Sequence, residues 1–187
     1  MDFEIVSLVI SPVHRYEGRP SDGPMPFDGP ESVDEVRVRA HKGLVGDRYF
    51  GTKHRHAAVT FLASESIDQL EGELGPLPDG AAPFRPELAR RNIVARGLDV
   101  ESLVHTTFTI DTGAGPIAFR SLTRANPCAW MNVAFAEGAH QALRGHAGIR
   151  AEPLYDGVLR VGPGTLLDVV PVPVEELSRS QRAALSV

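Results

Sequence analysis

Short apolar runs with β-type alternation recur along the whole chain, and most gaps between them are too short to hold a helix. A doubly wound parallel sheet needs a helical crossover between successive strands, so that architecture is disfavoured from the start. The runs are 3–10, 33–38, 57–62, 92–95, 107–110, 116–119, 149–154, 157–161 and 165–170. Asp111-Thr112-Gly113-Ala114-Gly115 joins two of them with the composition of a hairpin turn. Helical spacing follows Ser64, a favoured N-cap, through Ile67, Leu70 and Leu74, with Gly75 and Pro76 as the stop. Further helical pieces are expected after Asn126-Pro127, carrying Trp130, Val133 and Phe135, and around 138–144. The expectation is an α+β protein: a β-barrel core of short, mostly antiparallel strands with a few peripheral helices.

Composition agrees. The 18 Gly and 15 Pro among 187 residues are many for a helical bundle and ordinary for a turn-rich β protein. No repeat and no linker divides the chain, so a single domain is expected over 1–187, with its core at 33–170 and a tail at 171–187. Residues 174–186 read as a small exposed helix. Residues 11–32 are rich in Pro and Gly and hold no core pattern; a lid, a mobile insertion and a disordered surface loop are the open readings.

The formal net charge is −5, which argues against the broad basic face of a nucleic-acid binder. Met1-Asp2-Phe3-Glu4 is acidic where a signal peptide is basic, and no apolar stretch has the length of a membrane span. A soluble, cytoplasmic chain without a membrane partner is therefore expected. With one cysteine, Cys128, no internal disulfide exists.

Cys128 is the most informative residue. Asn126 is a favoured N-cap type and Pro127 the favoured first helical residue, which puts Cys128 in the first turn, beside free backbone N–H groups. A thiol there ionises more readily, and Arg124 adds positive charge nearby. A buried cysteine acting as a small hydrophobe is the competing reading.

Bases gather in three islands on this acidic chain: Lys42, Arg48, Lys53 and Arg55; Arg85, Arg90, Arg91 and Arg96; Arg120 and Arg124. Confined islands suit a small anionic cofactor or metabolite, whereas solvated loops of arginine are the plain alternative. Gly43-Leu44-Val45-Gly46-Asp47-Arg48 reads as a tight glycine turn exposing backbone amides, but it matches neither a Walker loop nor a dinucleotide fingerprint. His54 and His56, two apart, face the same way on an extended segment; with His41 they make a weak metal candidate, and polar turn histidines are the preferred reading. No Gly-x-Ser-x-Gly elbow supports a serine hydrolase.

The order of Gly43-Leu44-Val45-Gly46-Asp47-Arg48-Tyr49, Arg91-Asn92-Ile93-Val94 with Gly97-Leu98-Asp99, Asn126-Pro127-Cys128, Gly157-Val158 and Val161-Gly162-Pro163-Gly164 resembles the MOSC family, named for the C-terminal domain of molybdenum-cofactor sulfurase. The resemblance spans roughly 33–170. It implies a β-barrel-based fold and a pocket whose cysteine, here Cys128, ligates molybdenum of a pterin cofactor or carries sulfur as a persulfide. It implies that Arg91 and Asn92 line the cofactor pocket. Gly46, Asp47, Arg48, Lys53, Arg55, Arg124 and Asn126 complete the set expected to contact the cofactor. The activity implied is reduction of N-hydroxylated compounds with electrons from a separate redox protein; the alternative is a persulfide carrier served by a sulfur-donor protein. No pyridoxal-phosphate lysine, flavin or iron–sulfur motif is present in this sequence, and segment 11–32 has no counterpart in the resemblance.

Overall fold

The computed structural model describes residues 1–75, 84–178 and 181. Eleven strands form: β1 (Asp2–Val9), β2 (Ser32–Val33), β3 (Glu35–Arg39), β4 (Gly43–Leu44), β5 (Val59–Ala63), β6 (Ile93–Arg96), β7 (Thr106–Asp111), β8 (Pro116–Arg124), β9 (Ile149–Pro153), β10 (Gly157–Arg160) and β11 (Gly162–Pro171). Three helices accompany them: α1 (Ser64–Leu74), α2 (Trp130–Ala134) and α3 (Ala139–Ala142).

Seven of the strands close on themselves in the order β1-β11-β7-β8-β9-β5-β6 and back to β1, with β2 added beside β1. Closure removes the open edges that short-stranded sheets otherwise expose. All pairings around the ring are antiparallel except β5 with β6, and α1 is the crossover between those two. Register shifts at Ile5/Ser7, Leu166/Asp168 and Ser121/Thr123 supply the extra twist that lets so few strands bend into a barrel. Strands β10, β3 and β4 form a separate small sheet.

The alternation read from the sequence is what fills the barrel. Ile5, Val59, Phe61, Ile93, Phe108, Ile110, Phe119, Ile149 and Ala151 are all fully buried in one cluster. Phe61, Phe108 and Phe119 meet with ring centroids 5.1–5.7 Å apart and form its aromatic centre. The expected α+β barrel is the architecture found.

Two local expectations are corrected. Ser64 does not cap α1 but is its first residue, because its Oγ accepts a 2.7 Å bond from Arg96 Nη2. The glycine turn at 43–48 does not present free amides. Val45 N, Asp47 N and Arg48 N donate to Arg37 O, Leu44 O and Ser11 O, and Gly43-Leu44 pairs as β4. Segment 11–32 stays largely exposed, with only Ser11 buried, but it is tied down at points: Arg15 Nε donates to Met25 O, and Ile10 N to Glu31 O. Of the expected 174–186 helix, a 3-10 turn at Val174–Glu176 and a helical Gln181 are seen, and residues 179, 180 and 182–187 lie outside the described residues. Among the described residues no helix is long and apolar enough to cross a membrane.

Candidate active site

The site stands on the outer face of the barrel wall. Val59 and Phe61 point into the core, so Thr60 between them points out; Ile149 and Ala151 likewise turn Arg150 outward. Register places Thr60 opposite Arg150, and Asn92 bonds to Thr60 just before β6 begins. Loop residues then arrive from three directions. The connection from β4 to β5 brings Arg48, Tyr49, His54 and His56; the turn before β6 brings Arg90 and Arg91; the excursion from β8 to β9, residues 125–148, brings Cys128.

Two adjoining chambers result. The larger, about 330 Å³, is walled by Arg48, Tyr49, His54, His56, Arg90, Arg91 and Arg150 over a floor that includes Thr60 and Asn92. The smaller, about 130 Å³, holds Cys128. Arg48, Arg90 and Arg91 line both and form the partition. Arg48 Nε and Arg90 Nε are buried without a hydrogen-bond partner, so two guanidinium edges in that partition await an acceptor. Arg150 makes no ion pair among the described residues. An anion is the ligand that satisfies such a set.

Arg91 organises this region. Its Nε donates to Ala147 O at 2.9 Å and its Nη2 to Ala125 O at 3.2 Å, tying together both ends of the excursion that carries Cys128. Burial, followed by repulsion from Arg150, pushes the guanidinium down to about 10, while Cys128 and Glu101 act in the opposite direction. It stays protonated at neutral pH. Arg90 occupies the left-handed region at φ 56, a conformation uncommon outside glycine, and it is pinned by Glu31 at 2.7 Å. Glu31 also binds Arg15 at 2.9 Å.

The helix expected at 126–128 begins later. Asn126 makes no cap; α2 starts at Trp130, and Cys128 contributes its carbonyl to Met131 N at 2.9 Å. Cys128 therefore precedes the helix. Its thiol is exposed and faces the smaller chamber, which contradicts the small-hydrophobe reading.

The other expected site residues divide. Asn92 is spent on structure: Oδ1 accepts from Thr60 N and Oγ1, and Nδ2 donates to Val9 O and Asp47 Oδ2, all at 2.9–3.1 Å. Asp47 is buried beneath it, also receiving Tyr49 N at 2.9 Å, and Gly46 adjoins as an exposed positive-φ turn residue. Both shape the loop that carries Arg48 and line neither chamber. Lys53 and Arg55 are exposed on either side of His54 and are not part of the chamber lining. Arg124 pairs with Glu101 and, with Asn126, borders a shallower neighbouring recess. His41 is engaged by Glu152 at 2.8 Å, and no cluster of three metal-ligating side chains occurs among the described residues. Residue reasoning passed over Tyr49, Arg150, Tyr16 and Trp130 as site residues, and read His54 and His56 as turn histidines. The lone charge between apolar neighbours at Ile149-Arg150-Ala151 was the available signal.

Two consequences are measurable. Replacing Asn92 by Ala removes the bonds from Thr60 N and to Val9 O and leaves Asp47 Oδ2 with only Ser11 N at 3.4 Å and Arg48 Nη1 at 3.9 Å, and is expected to cost about 3 kcal/mol in urea denaturation. Glu31 gives a pH dependence. Burial acts to raise its pKa, but hydrogen bonds from Ser11, Arg90 and Arg15 and the Arg90 charge leave it below its ordinary value. A depressed folded value means the contribution is complete above the unfolded carboxylate range and is lost as pH falls through the folded one. Trp130, the sole tryptophan, lies against Tyr16 of this segment at 5.3 Å. Its fluorescence is expected to change below about pH 4.5, and the change to disappear in Glu31→Gln.

The MOSC domain model matches residues 37–164, more than two thirds of the chain and five of the seven barrel strands, β5 to β9. This chain belongs to the MOSC family. The family is associated with molybdenum-cofactor binding and sulfurase-like function. The fold is shared with solved structures. YuaD from Bacillus subtilis superposes with a TM-score of 0.64 at 16% identity, covering 88% of this chain and 94% of that one. YiiM from Escherichia coli gives 0.61 at 18% identity, covering 100% and 91%. YiiM from Geobacillus stearothermophilus gives 0.59 at 16%, covering 98% and 83%. At these identities the likeness concerns the fold alone. No curated protein matches this MOSC chain in sequence.

Proposed function

We propose that this MOSC chain binds a molybdenum-pterin cofactor through Cys128 and reduces N-hydroxylated compounds with electrons from a separate redox protein. One observation carries the reading. An exposed thiol shares a wall of three arginines with a chamber of about 330 Å³, and two of those arginines have an unpartnered Nε. Such a site pairs a soft sulfur ligand with an anion cradle, and its volume falls in the cofactor range. The residues present fit the group.

Within this reading Arg48, Arg90 and Arg150 hold the phosphate and pterin edges, and Cys128 Sγ is the metal ligand. Arg91 acts mainly as a positioning residue, since its donors are taken by the carbonyls of the Cys128 excursion. The cofactor, when bound, supplies two-electron oxygen-atom chemistry. Converting N–OH to N–H also takes up protons and releases water. His54 and His56, exposed imidazoles 6.4 Å apart on the larger chamber's wall, are the groups of this chain suited to exchange those protons with solvent.

The persulfide-carrier reading draws on the same exposed thiol and differs in its measurable content. Protein purified from a molybdenum-competent host is expected to contain molybdenum and pterin and to reduce a simple amidoxime when given electrons. Cyanolysable sulfur on Cys128 after incubation with a cysteine desulfurase, with no molybdenum bound, overturns the enzyme reading in favour of the carrier.

A further inference from the structure

The smaller chamber has a composition unlike the larger one. Apolar surface predominates: the rings of Tyr16 and Trp130 and the thioether of Met131 stand around Cys128, beside His14, Arg15 and the partition arginines. Tyr16 and Trp130 meet edge to face at 5.3 Å and 83°. Arg90 lies over the Tyr16 ring at 4.9 Å and Arg15 at 5.9 Å, and Glu31 bonds both guanidinium groups. The aromatic wall is therefore held rigidly, by cation–π contacts from one side and ring packing from the other. Tyr16 belongs to segment 11–32, which lies outside the matched family region at 37–164.

We infer that this chamber is the substrate subsite of the proposed reaction, that it takes a non-cationic head group of one aromatic ring, and that Tyr16 sets this size limit. The inference rests on the proposed function for its chemistry and on this chain's own geometry for its selectivity. A cavity of about 130 Å³ is close to the size that accommodates benzene, and a fused second ring does not fit without moving Tyr16. Flat aromatic walls favour a planar group. The arginines of the partition and Arg15 oppose a cationic one, since a positive ligand there meets guanidinium groups at close range. Location supports the role: a head group in the chamber lies beside Cys128 Sγ while the larger chamber remains free for the cofactor.

The sole tryptophan makes occupancy observable without turnover. Titration of the full chain with benzamidoxime is expected to change Trp130 fluorescence saturably and to slow iodoacetamide alkylation of Cys128. An amidoxime on a naphthalene ring is expected to bind about tenfold more weakly. In Tyr16→Ala the preference is expected to reverse while molybdenum content is unchanged, and in Trp130→Phe protection of Cys128 persists without the optical signal. Absence of both fluorescence change and thiol protection in the wild type overturns the subsite, as does an unchanged one-ring to two-ring ratio in Tyr16→Ala. The wild-type titration needs no metal, so binding tests the subsite by itself; the enzyme reading is overturned separately, by protein from a molybdenum-competent host that binds benzamidoxime but contains no molybdenum.

Discussion

Cys128→Ser is expected to reduce bound molybdenum to background and amidoxime reduction by about 100-fold or more, with the fold intact. The size of the effect follows from what serine lacks. A hydroxyl is not ionised at neutral pH and is a hard donor, whereas the proposed metal ligand is a soft thiolate. Stability is expected to stay within about 0.5 kcal/mol, because Cys128 is exposed and its backbone contact to Met131 N is independent of the side chain. Metal analysis beside a urea melt separates the two quantities. Equal molybdenum in wild type and variant sinks the ligand role, whatever happens to activity. The neighbouring arginines remain in the variant, so pterin without metal is the informative intermediate result.

Gly148→Ala is expected to be the most damaging single-methyl change in the chain. Gly148 sits at φ +91, and a Cβ there overlaps the carbonyl oxygen of Phe61 and lies 2.9 Å from its carbonyl carbon. Those atoms belong to β5 in the centre of the barrel and cannot retreat without breaking the pairing with β9. The same residue gives its N–H to Glu101 at 2.7 Å and accepts Ala125 N at 2.7 Å, which closes the base of the Cys128 excursion. A cost of about 4 kcal/mol or more, or a Tm lower by about 10 °C, is expected. Gly145→Ala is the control. It shares a positive φ of +90 but has nothing within 4 Å of the added carbon, so its cost is expected to be about 1 kcal/mol from backbone strain alone. Similar Tm values for the two variants refute the close-approach argument.

The same excursion explains where sequence reading stopped. Asn126-Pro127 is a good local helix start, yet α2 begins at Trp130. Ala125 N is held by Gly148 O, and the carbonyls of Ala125 and Asn126 are within reach of Arg91 Nη2 at 3.2 and 3.5 Å. These long-range bonds keep the backbone out of helical geometry through 126 and override the local preference. The strands fared better because alternation is both local and what the core requires. Even there β4 went unseen: it is two residues long, and its pairing partner, not its composition, makes it a strand.

The candidate site was legible in part for the same reason. Cys128, Arg48 and Arg91 stand out as a lone thiol and as members of basic islands. Lys53 and Arg55 share the island but turn outward, while His54 and His56 between and beside them line the chamber. Arg150 is marked only as a lone charge between apolar neighbours, and Tyr16 carries no local mark.

From the linear chain alone came the class of fold, through period-two patterning and short gaps, and the candidate thiol, through its singularity. Those properties depend on residue type and near neighbours. Which guanidinium groups share a chamber, and which aromatic ring walls the thiol, depended on strand register and on bonds between distant segments. Thr60, Asn92 and Arg150 become adjacent only when β5, β6 and β9 pair, and Tyr16 reaches Trp130 only after segment 11–32 folds back over that wall. No local physical preference encodes either meeting, so only the tertiary structure decided them.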